Sequence, residues 1–288
     1  MTYEYKAKAK VNLSLDVLRR RENGYHDVKM IMQTVNLYDD LIVEDAESGI
    51  NLEVTTIEGV EIPCDESNLA YKAAKLLMDE FDIKKGVKIT INKHIPVAAG
   101  MAGGSTDCAN TLKGVNELFK LGLSDKELME RGVKLGADVP YCIMGKTALS
   151  EGIGEVLTPI ENMPQCKILI AKPPINVSTK YVYENLHVET IKDHPDVDGM
   201  VEKIKAGDLH GVCSYMENIL ETVTVKEYPV INELKTFMKE NGAINSIMSG
   251  SGPTVFGIYD DENKAKEAYE KLLAKGITKE VYLTDLDI

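Results

Sequence analysis

Residues 96–107 read Pro-Val-Ala-Ala-Gly-Met-Ala-Gly-Gly-Ser-Thr-Asp and lead into a segment with the apolar spacing of a helix. Glycines at 100, 103 and 104 let the backbone approach a ligand closely and adopt conformations that other residues avoid. Ser105 and Thr106 add hydroxyl groups at the predicted helix start, where unpaired amide groups and the helix dipole favour an anion. This pattern favours a loop that binds a polyphosphate.

The loop does not match the two common phosphate-binding motifs. It lacks the lysine of the Walker A sequence G-x-x-x-x-G-K-[ST] and the spacing of the dinucleotide sequence G-x-G-x-x-G. A flexible glycine turn capped by Ser105 would explain the same residues. The loop alone therefore leaves ligand binding open.

Composition limits the classes of protein and partner. The chain has 288 residues, 44% apolar and 27% charged, which is typical of a globular protein with two domains or one large domain. Its formal net charge of −13 would repel a nucleic-acid backbone unless a basic stripe compensated. The one dense basic run, residues 19–21, precedes Glu-Asn-Gly and is interpreted as a solvated turn, so no nucleic-acid partner is predicted.

Cysteine usage and the first residues predict the compartment. The five cysteines are scattered without a C-x-x-C pair, which fits reduced thiols and gives no support for a zinc site. The first six residues lack the apolar stretch of a signal peptide, and no apolar run approaches membrane-spanning length. We therefore expect a cytoplasmic protein with no membrane partner.

Periodicity predicts a mixture of strands and helices. Residues 3–17 alternate between apolar and polar, which indicates a half-buried strand. This places Lys8, Lys10 and Asn12 on one exposed face, where they are available for a site. Further strands are predicted at 28–35, 41–43, 52–54, 88–91, 168–171, 254–259 and 281–283, and helices at 68–81, after 106, from 124 to near 136, and at 209–220, 230–240 and 264–275. The order predicts an α+β protein, and we place a domain boundary between residues 157 and 158, giving domains 1–157 and 158–288.

Three segments together resemble the GHMP kinases, which act on galactose, homoserine, mevalonate and phosphomevalonate. Residues 96–106 resemble the family's loop P-x3-G-L-G-[GS]-[GS]-S-[ST], residues 135–140 its segment L-G-[AS]-D-V-P, and residues 248–256 its late motif S-G-S-G-P-[ST]-x-F. The loop departs from the family pattern at Met101, a leucine in the family, and at Ala102, its second glycine. Alanine at 102 requires backbone angles that an L-residue can hold.

The resemblance implies a fold and a chemistry. The fold would have an N-terminal domain like ribosomal protein S5 and a C-terminal ferredoxin-like α/β domain, with the active site in the cleft between them. Asp138 would take the proton from the substrate hydroxyl, Lys10 would bridge Asp138 and the γ-phosphate of ATP, and Mg²⁺ would neutralise the phosphates, with Ser105 or Thr106 a possible ligand and no carboxylate identified for the metal. The loop residues that would bind the nucleotide are Pro96, Ala98, Ala99, Gly100, Met101, Ala102, Gly103, Gly104, Ser105 and Thr106.

Two N-terminal segments indicate which substrate would accept the phosphoryl group. Residues 9–15 and 23–26 resemble the GHMP kinases that phosphorylate a cytidine-diphosphate-linked polyol in isoprenoid precursor synthesis. This implies that Tyr25 stacks on the cytosine and His26 hydrogen-bonds its edge, while residues 173–183 also line the pocket. The residues expected to bind the substrate are Asn12, Tyr25, His26, Lys146, Gly250, Ser251 and Gly252.

Other functions stay open at this point. The acceptor could instead be homoserine or a mevalonate-like alcohol, or the chain could be a non-catalytic nucleotide-binding protein. The presence of both Lys10 and Asp138 argues against a mere binding protein. The sequence allows either a monomer or a homodimer.

Overall fold

The computed structural model describes residues 1–56 and 60–288. The chain divides into two compact units, each built from three segments. The first unit contains residues 1–9, 37–95 and 102–145, and the second contains residues 10–36, 96–101 and 146–288. The domain boundary that the sequence analysis places between residues 157 and 158 stays a prediction.

Two long strands open the chain. Strand β1 covers Thr2–Arg20 and pairs with β2, which covers His26–Ala46. The predicted separate strands at 28–35 and 41–43 are one strand, because no glycine or proline interrupts the chain between Val35 and Leu41. Each strand contributes residues to both units.

The first unit packs helices on a small sheet. Strand β3 (Ile50–Thr55) is parallel to β4 (Gly86–Asn92), which is antiparallel to residues 40–46 of β2. The helices are α1 (Leu69–Glu80), α2 (Gly103–Leu118), α3 (Asp125–Gly132) and α4 (Val139–Met144). Side chains from β4, α1 and α2, including Ile89, Leu77 and Leu112, form one apolar core.

The predicted starts of two helices in the first unit are confirmed. Asn68 caps α1 by accepting a hydrogen bond from the amide of Ala70 at 2.9 Å, and Ser124 and Glu127 form a capping box at the start of α3. Helix α3 ends at Gly132, earlier than predicted. The reason is that the chain tightens into turns there, with the Leu135 amide donating to the Gly132 carbonyl at 2.9 Å.

The second unit contains the remaining strands. Strand β5 (Thr147–Gly152) is antiparallel to residues 28–33 of β2 and to β6 (Val156–Pro159). A separate antiparallel sheet has the order β10-β7-β9-β8. Its strands are β7 (Lys167–Lys172), β8 (Asn245–Met248), β9 (Val255–Tyr259) and β10 (Glu280–Asp285).

The helices of the second unit are α5 (Thr179–Glu184), α6 (Val197–Lys205), α7 (Leu209–Ser214), α8 (Glu221–Glu227), α9 (Val230–Glu240) and α10 (Glu262–Lys275). The helix predicted over 209–220 is wrong beyond Ser214. Residues after it run beside β1, where Leu15 donates to the Glu217 carbonyl at 2.9 Å and accepts from the Ile219 amide at 3.0 Å. Within the described ranges, no helix combines the length and apolar character that crossing a membrane requires.

Candidate active site

Lys10 is held inside the second unit against the glycine-rich loop. Its Nζ donates to Asn12 Oδ1 at 2.7 Å and to the Gly100 carbonyl at 3.3 Å, and its amide donates to the Met101 carbonyl at 3.1 Å. The expectation that this face of β1 meets water is wrong, because Lys10 is only 5% exposed and Ser14 and Asp16 beyond it are also buried. A buried ammonium needs such polar partners, so its position relative to the loop is fixed.

The late motif of the sequence holds the first half of the loop. Ser249 Oγ donates to the Gly100 carbonyl at 3.0 Å and accepts from the Asn12 amide at 3.4 Å. Gly100 has a φ of +70°, and a Cβ there would lie 2.4 Å from the Ser249 carbonyl oxygen. A Cβ on Gly250 would lie 3.3 Å from the Gly100 carbonyl oxygen. The structure therefore brings Lys10, Asn12 and the 249–252 turn together around Gly100.

The loop backbone has an alternating left-handed conformation. Ala98, Gly100 and Ala102 have φ values of 52°, 70° and 58°. Left-handed residues that alternate with others can turn successive amide groups toward one side, as in anion-binding backbone concavities. At Ala102 the structure shows the αL region, which costs an L-residue about 1–2 kcal/mol. Backbone strain of this kind concentrates at functional segments.

The start of α2, in the first unit, offers free amide groups and one accessible hydroxyl. The first amide groups of a helix have no partner within it, so those of residues 103–105 can face an anion. Thr106 is buried, and its carbonyl and hydroxyl oxygens accept from Asn110 Nδ2 at 2.8 and 3.4 Å. Ser105 is partly exposed, which makes it the better of the two predicted hydroxyls for binding a ligand.

The segment that carries Asp138 lies close to the start of α2 in the first unit. Asp138 directly precedes α4, yet its side chain accepts no hydrogen bond from the amide groups of that helix. Helix capping, the ordinary alternative for an aspartate here, is therefore not its role. A Cβ on Gly136 would lie 3.9 Å from Ser105 Oγ, so the segment carrying Asp138 passes beside the first turn of α2.

The residues expected to bind the cytosine base of the substrate lie in the second unit. His26 is buried, and its ring centroid lies 5.1 Å from that of Tyr183 on α5 with an interplanar angle of 39°. Burial lowers the pKa of His26, and the charge of Arg20 lowers it further, so the imidazole is neutral at neutral pH and presents one donor and one acceptor. Tyr25, next to it, is 59% exposed. Lys146 is exposed, with a φ of 63°, and its substrate role stays a prediction.

Asn218 is a residue of the site that the sequence did not reveal. It is buried, its Nδ2 donates to the carbonyls of Met248 and Gly250 at 2.8 Å each, and its Oδ1 accepts from the Leu220 amide at 3.0 Å. It thus supports the turn that contacts Gly100. The predicted helix over 209–220 concealed it, since a polar residue in a helix indicates a solvent-facing position.

Replacing Asn218 by alanine is expected to lower the free energy of unfolding by about 1–3 kcal/mol, because two buried carbonyls lose their donor. Urea unfolding followed by circular dichroism measures this. The matched control is Asn185→Ala, since Asn185 is exposed and donates to one carbonyl, that of Tyr181 at 2.8 Å. Equal changes in the two variants would mean that Asn218 does not support the turn.

Two parts of the chain match models of one enzyme class. Residues 68–146 match the GHMP kinases N terminal domain, and residues 200–278 match the GHMP kinases C terminal model. The fold and the two family matches thus define a GHMP kinase. The predicted α+β class and the predicted small-molecule kinase are confirmed.

Curated relatives and a solved structure identify the family within this class. The chain is 53% identical to the 4-diphosphocytidyl-2-C-methyl-D-erythritol kinase of Lachnospira eligens over 97% of its own length and 96% of the relative's. It is 47% identical to the enzyme of that name from Geobacillus thermodenitrificans, over 99% and 97%. A crystal structure of 4-(cytidine 5'-diphospho)-2C-methyl-D-erythritol kinase is similar with a TM-score of 0.84 at 31% identity, covering 99% of this chain and 100% of that one. The chain belongs to the 4-diphosphocytidyl-2-C-methyl-D-erythritol kinase family.

A more distant structure shares the fold alone. Homoserine kinase from Cytophaga hutchinsonii is similar with a TM-score of 0.73 at 19% identity, covering 98% of this chain and 95% of that one. The chain is much more similar in sequence to the relatives from Lachnospira eligens and Geobacillus thermodenitrificans than to this homoserine kinase. This difference disfavours a homoserine- or mevalonate-type acceptor and a non-catalytic binding protein.

Proposed function

We propose that the protein transfers the γ-phosphoryl group of ATP to the 2-hydroxyl group of 4-(cytidine 5'-diphospho)-2-C-methyl-D-erythritol. The products are the 2-phosphate and ADP, and the step belongs to the non-mevalonate (methylerythritol phosphate) route to isoprenoid precursors. The observation that carries the proposal is the contact of Lys10 Nζ with the Gly100 carbonyl, because it ties a buried cation to the predicted phosphate loop.

In the proposed reaction, the amide groups of residues 100–106 bind the phosphates of ATP and Lys10 adds positive charge at the γ-phosphate. Asp138 orients the 2-hydroxyl group and accepts its proton. The hydroxyl oxygen forms a bond to the γ-phosphorus, and the bond from that phosphorus to the bridging oxygen of ADP breaks. Phosphoryl transfer of this kind depends mainly on positioning and on charge stabilisation.

Mg²⁺ is the metal ion that fits this proposal. Ser105 would hold it, since a partly exposed hydroxyl oxygen at the start of α2 suits a hard cation that keeps several waters. When bound, the ion neutralises charge on the β- and γ-phosphates. Thr106 is disfavoured as the ligand, because its hydroxyl is buried and contacts Asn110.

The cytosine would bind beside His26. An exposed tyrosine ring can stack on a base, and the neutral imidazole can contact its edge, so Tyr25 and His26 suit these two tasks. Tyr183, within the 173–183 stretch expected at the pocket, adds a second ring next to His26. Asn12 and the 250–252 turn would contact the polyol end, because both lie next to Gly100 of the phosphate loop.

The reaction is tested by incubating the protein with ATP, Mg²⁺ and the cytidylyl acceptor and recording ³¹P NMR spectra. We expect a new phosphomonoester resonance to grow together with the resonances of ADP. Parallel reactions contain homoserine or mevalonate as the acceptor. Turnover of either of these, with none of the cytidylyl compound, would contradict the proposed substrate.

His26→Ala is expected to raise KM for the cytidylyl acceptor about 5–160-fold, which corresponds to losing about 1–3 kcal/mol of buried hydrogen bonding. KM for ATP should stay close to that of the wild type. His210→Ala is the matched control, since His210 is 67% exposed and pairs with Asp260. An unchanged acceptor KM in His26→Ala would remove His26 from the base site.

A further inference from the structure

The dense basic run at residues 19–21 contains one arginine that the described residues leave unpaired. The run lies at the end of β1, where the chain turns back into β2. Arg19 Nε donates to Asp27 Oδ2, and Arg21 Nη2 pairs with Asp27 Oδ1 at 2.5 Å. Arg20, between them, is exposed and forms no ion pair with any of the described residues. Two of the three guanidinium groups are therefore paired, and one is available to an anion.

Arg20 lies directly across the hairpin of β1 and β2 from His26. The Arg21 amide donates to the Tyr25 carbonyl at 2.7 Å, so residue 20 of β1 faces residue 26 of β2. Opposite residues of an antiparallel pair have Cβ atoms about 4.5–5.5 Å apart. Side chains alternate between the two faces of a strand, so Arg20 shares the face of His26 and Arg19 is on the other face. Arg20 and His26 are therefore neighbours on one face of the hairpin.

The charge of Arg20 acts on the proposed cytosine site. Burial lowers the pKa of His26, and the positive charge of Arg20 lowers it further. The ring of Tyr183 lies 5.1 Å from that of His26, and the exposed ring of Tyr25 belongs to the adjacent residue. Arg20 thus lies beside the three rings that are proposed to bind the base.

We propose that Arg20 binds the diphosphate of the cytidylyl acceptor. The proposal rests on the proposed function, because it takes the cytosine to lie beside His26. A single ribose joins this base to the diphosphate, so the phosphates lie within reach of a long side chain that starts next to the base. A planar guanidinium donates two parallel hydrogen bonds to phosphate oxygens, and it stays charged at every pH at which the protein is folded.

The charge of the whole chain makes an uncompensated cation important for this acceptor. The formal net charge is −13, and a field of this sign repels a diphosphate. Lys29, the next cation along β2, does not offset the repulsion, because its Nζ pairs with Asp198 Oδ2 at 2.6 Å. Arg20, in contrast, keeps its full charge for an anion beside the base.

The experiment compares three ligands that share the base and differ in charge, namely cytidine, CMP and CDP. Each is titrated into the full protein, and the ring protons of cytosine report the binding of all three by NMR. AMP-PNP, a non-hydrolysable analogue of ATP, is present at saturation so that the diphosphate of CDP does not bind at the phosphate loop. The affinity of the wild type should rise from cytidine to CMP to CDP.

Arg20→Gln should lower the affinity for CDP about 3–30-fold, because the lost contact is a charge-assisted hydrogen bond at an exposed position. The affinity for cytidine should change less than about twofold, since cytidine has no phosphate. Arg20→Lys should recover part of the CDP affinity, because lysine keeps the charge but not the planar fork. A purely structural role of Arg20 in the hairpin would lower the affinities for all three ligands alike.

The matched control is Arg19→Gln, the same change on the neighbouring residue, which faces Asp27 and should keep the wild-type affinities. An unchanged CDP affinity in Arg20→Gln, or equal losses for cytidine and CDP, would overturn the proposal while leaving the kinase function intact. Failure of the folded wild type to bind any of the three ligands would instead overturn the proposed cytosine site, and this proposal with it.

Discussion

Replacing Asp138 by asparagine is expected to lower kcat by about 10²–10⁴-fold, the usual contribution of a general base. Asparagine has almost the same size but cannot accept the proton of the 2-hydroxyl group. Asp138 makes no capping hydrogen bond to α4, so the substitution removes no cap and the fold should persist. Initial rates with ATP and the cytidylyl acceptor, with thermal unfolding of the same sample, measure both effects.

The matched control is Asp125→Asn, which makes the same substitution in the first turn of α3, outside the proposed site. This variant should keep the wild-type rate. AMP-PNP should bind Asp138→Asn and the wild type with similar affinity, because the proposed role of Asp138 is on the acceptor. An Asp138→Asn protein with near-normal turnover would remove this carboxylate from the mechanism.

The sequence predicts most of the elements, because their signals are local. The alternation along β1 and the apolar spacing along α1 each depend on residues a few positions apart. The burial of Lys10 is different. A period of two shows that one face of a strand is apolar, but it does not show what covers the other face. The same limit explains the helix predicted over 209–220, where contacts with Leu15 of β1 determine the path of the chain.

The candidate site divides in the same way. The residues proposed to contact phosphate or protons, residues 96–106 and Asp138, stand in short segments that resemble the motifs of the family, so the sequence is enough to propose them. The residues that support them do not stand in such motifs. Asn218 reaches the carbonyls of Met248 and Gly250, and Asp39 reaches Lys93, across long stretches of chain. No spacing rule connects such pairs, and only their burial in the folded protein distinguishes them from surface residues.

Lys93→Met is expected to lower the free energy of unfolding by about 3–5 kcal/mol at neutral pH and above, because it leaves two buried carboxylates without their cation. Methionine can fill much of the space of the lysine stem, so the lost charge dominates the effect. Lys93 contacts Asp39, which accepts hydrogen bonds from the His94 and Ile95 amides just before the predicted phosphate loop, and Asp107, which lies just after it. The affinity for AMP-PNP, a non-hydrolysable analogue of ATP, should therefore fall as well. Urea unfolding at several pH values and calorimetric titration measure the two changes.

The dependence on pH separates lost charge from lost packing. The folded-state pKa of Asp107 is about 7 in the wild type, and removing Lys93, which lowers that pKa, raises it further. Protonated carboxyls do not need the ammonium, so the deficit should shrink as pH falls from above 7 toward about 5. Lys88→Met on β4 is the matched control, because Lys88 pairs with Glu53 at the surface and its loss should change stability little. A deficit in Lys93→Met that stayed constant with pH would mean that its cause is packing and not the two buried charges.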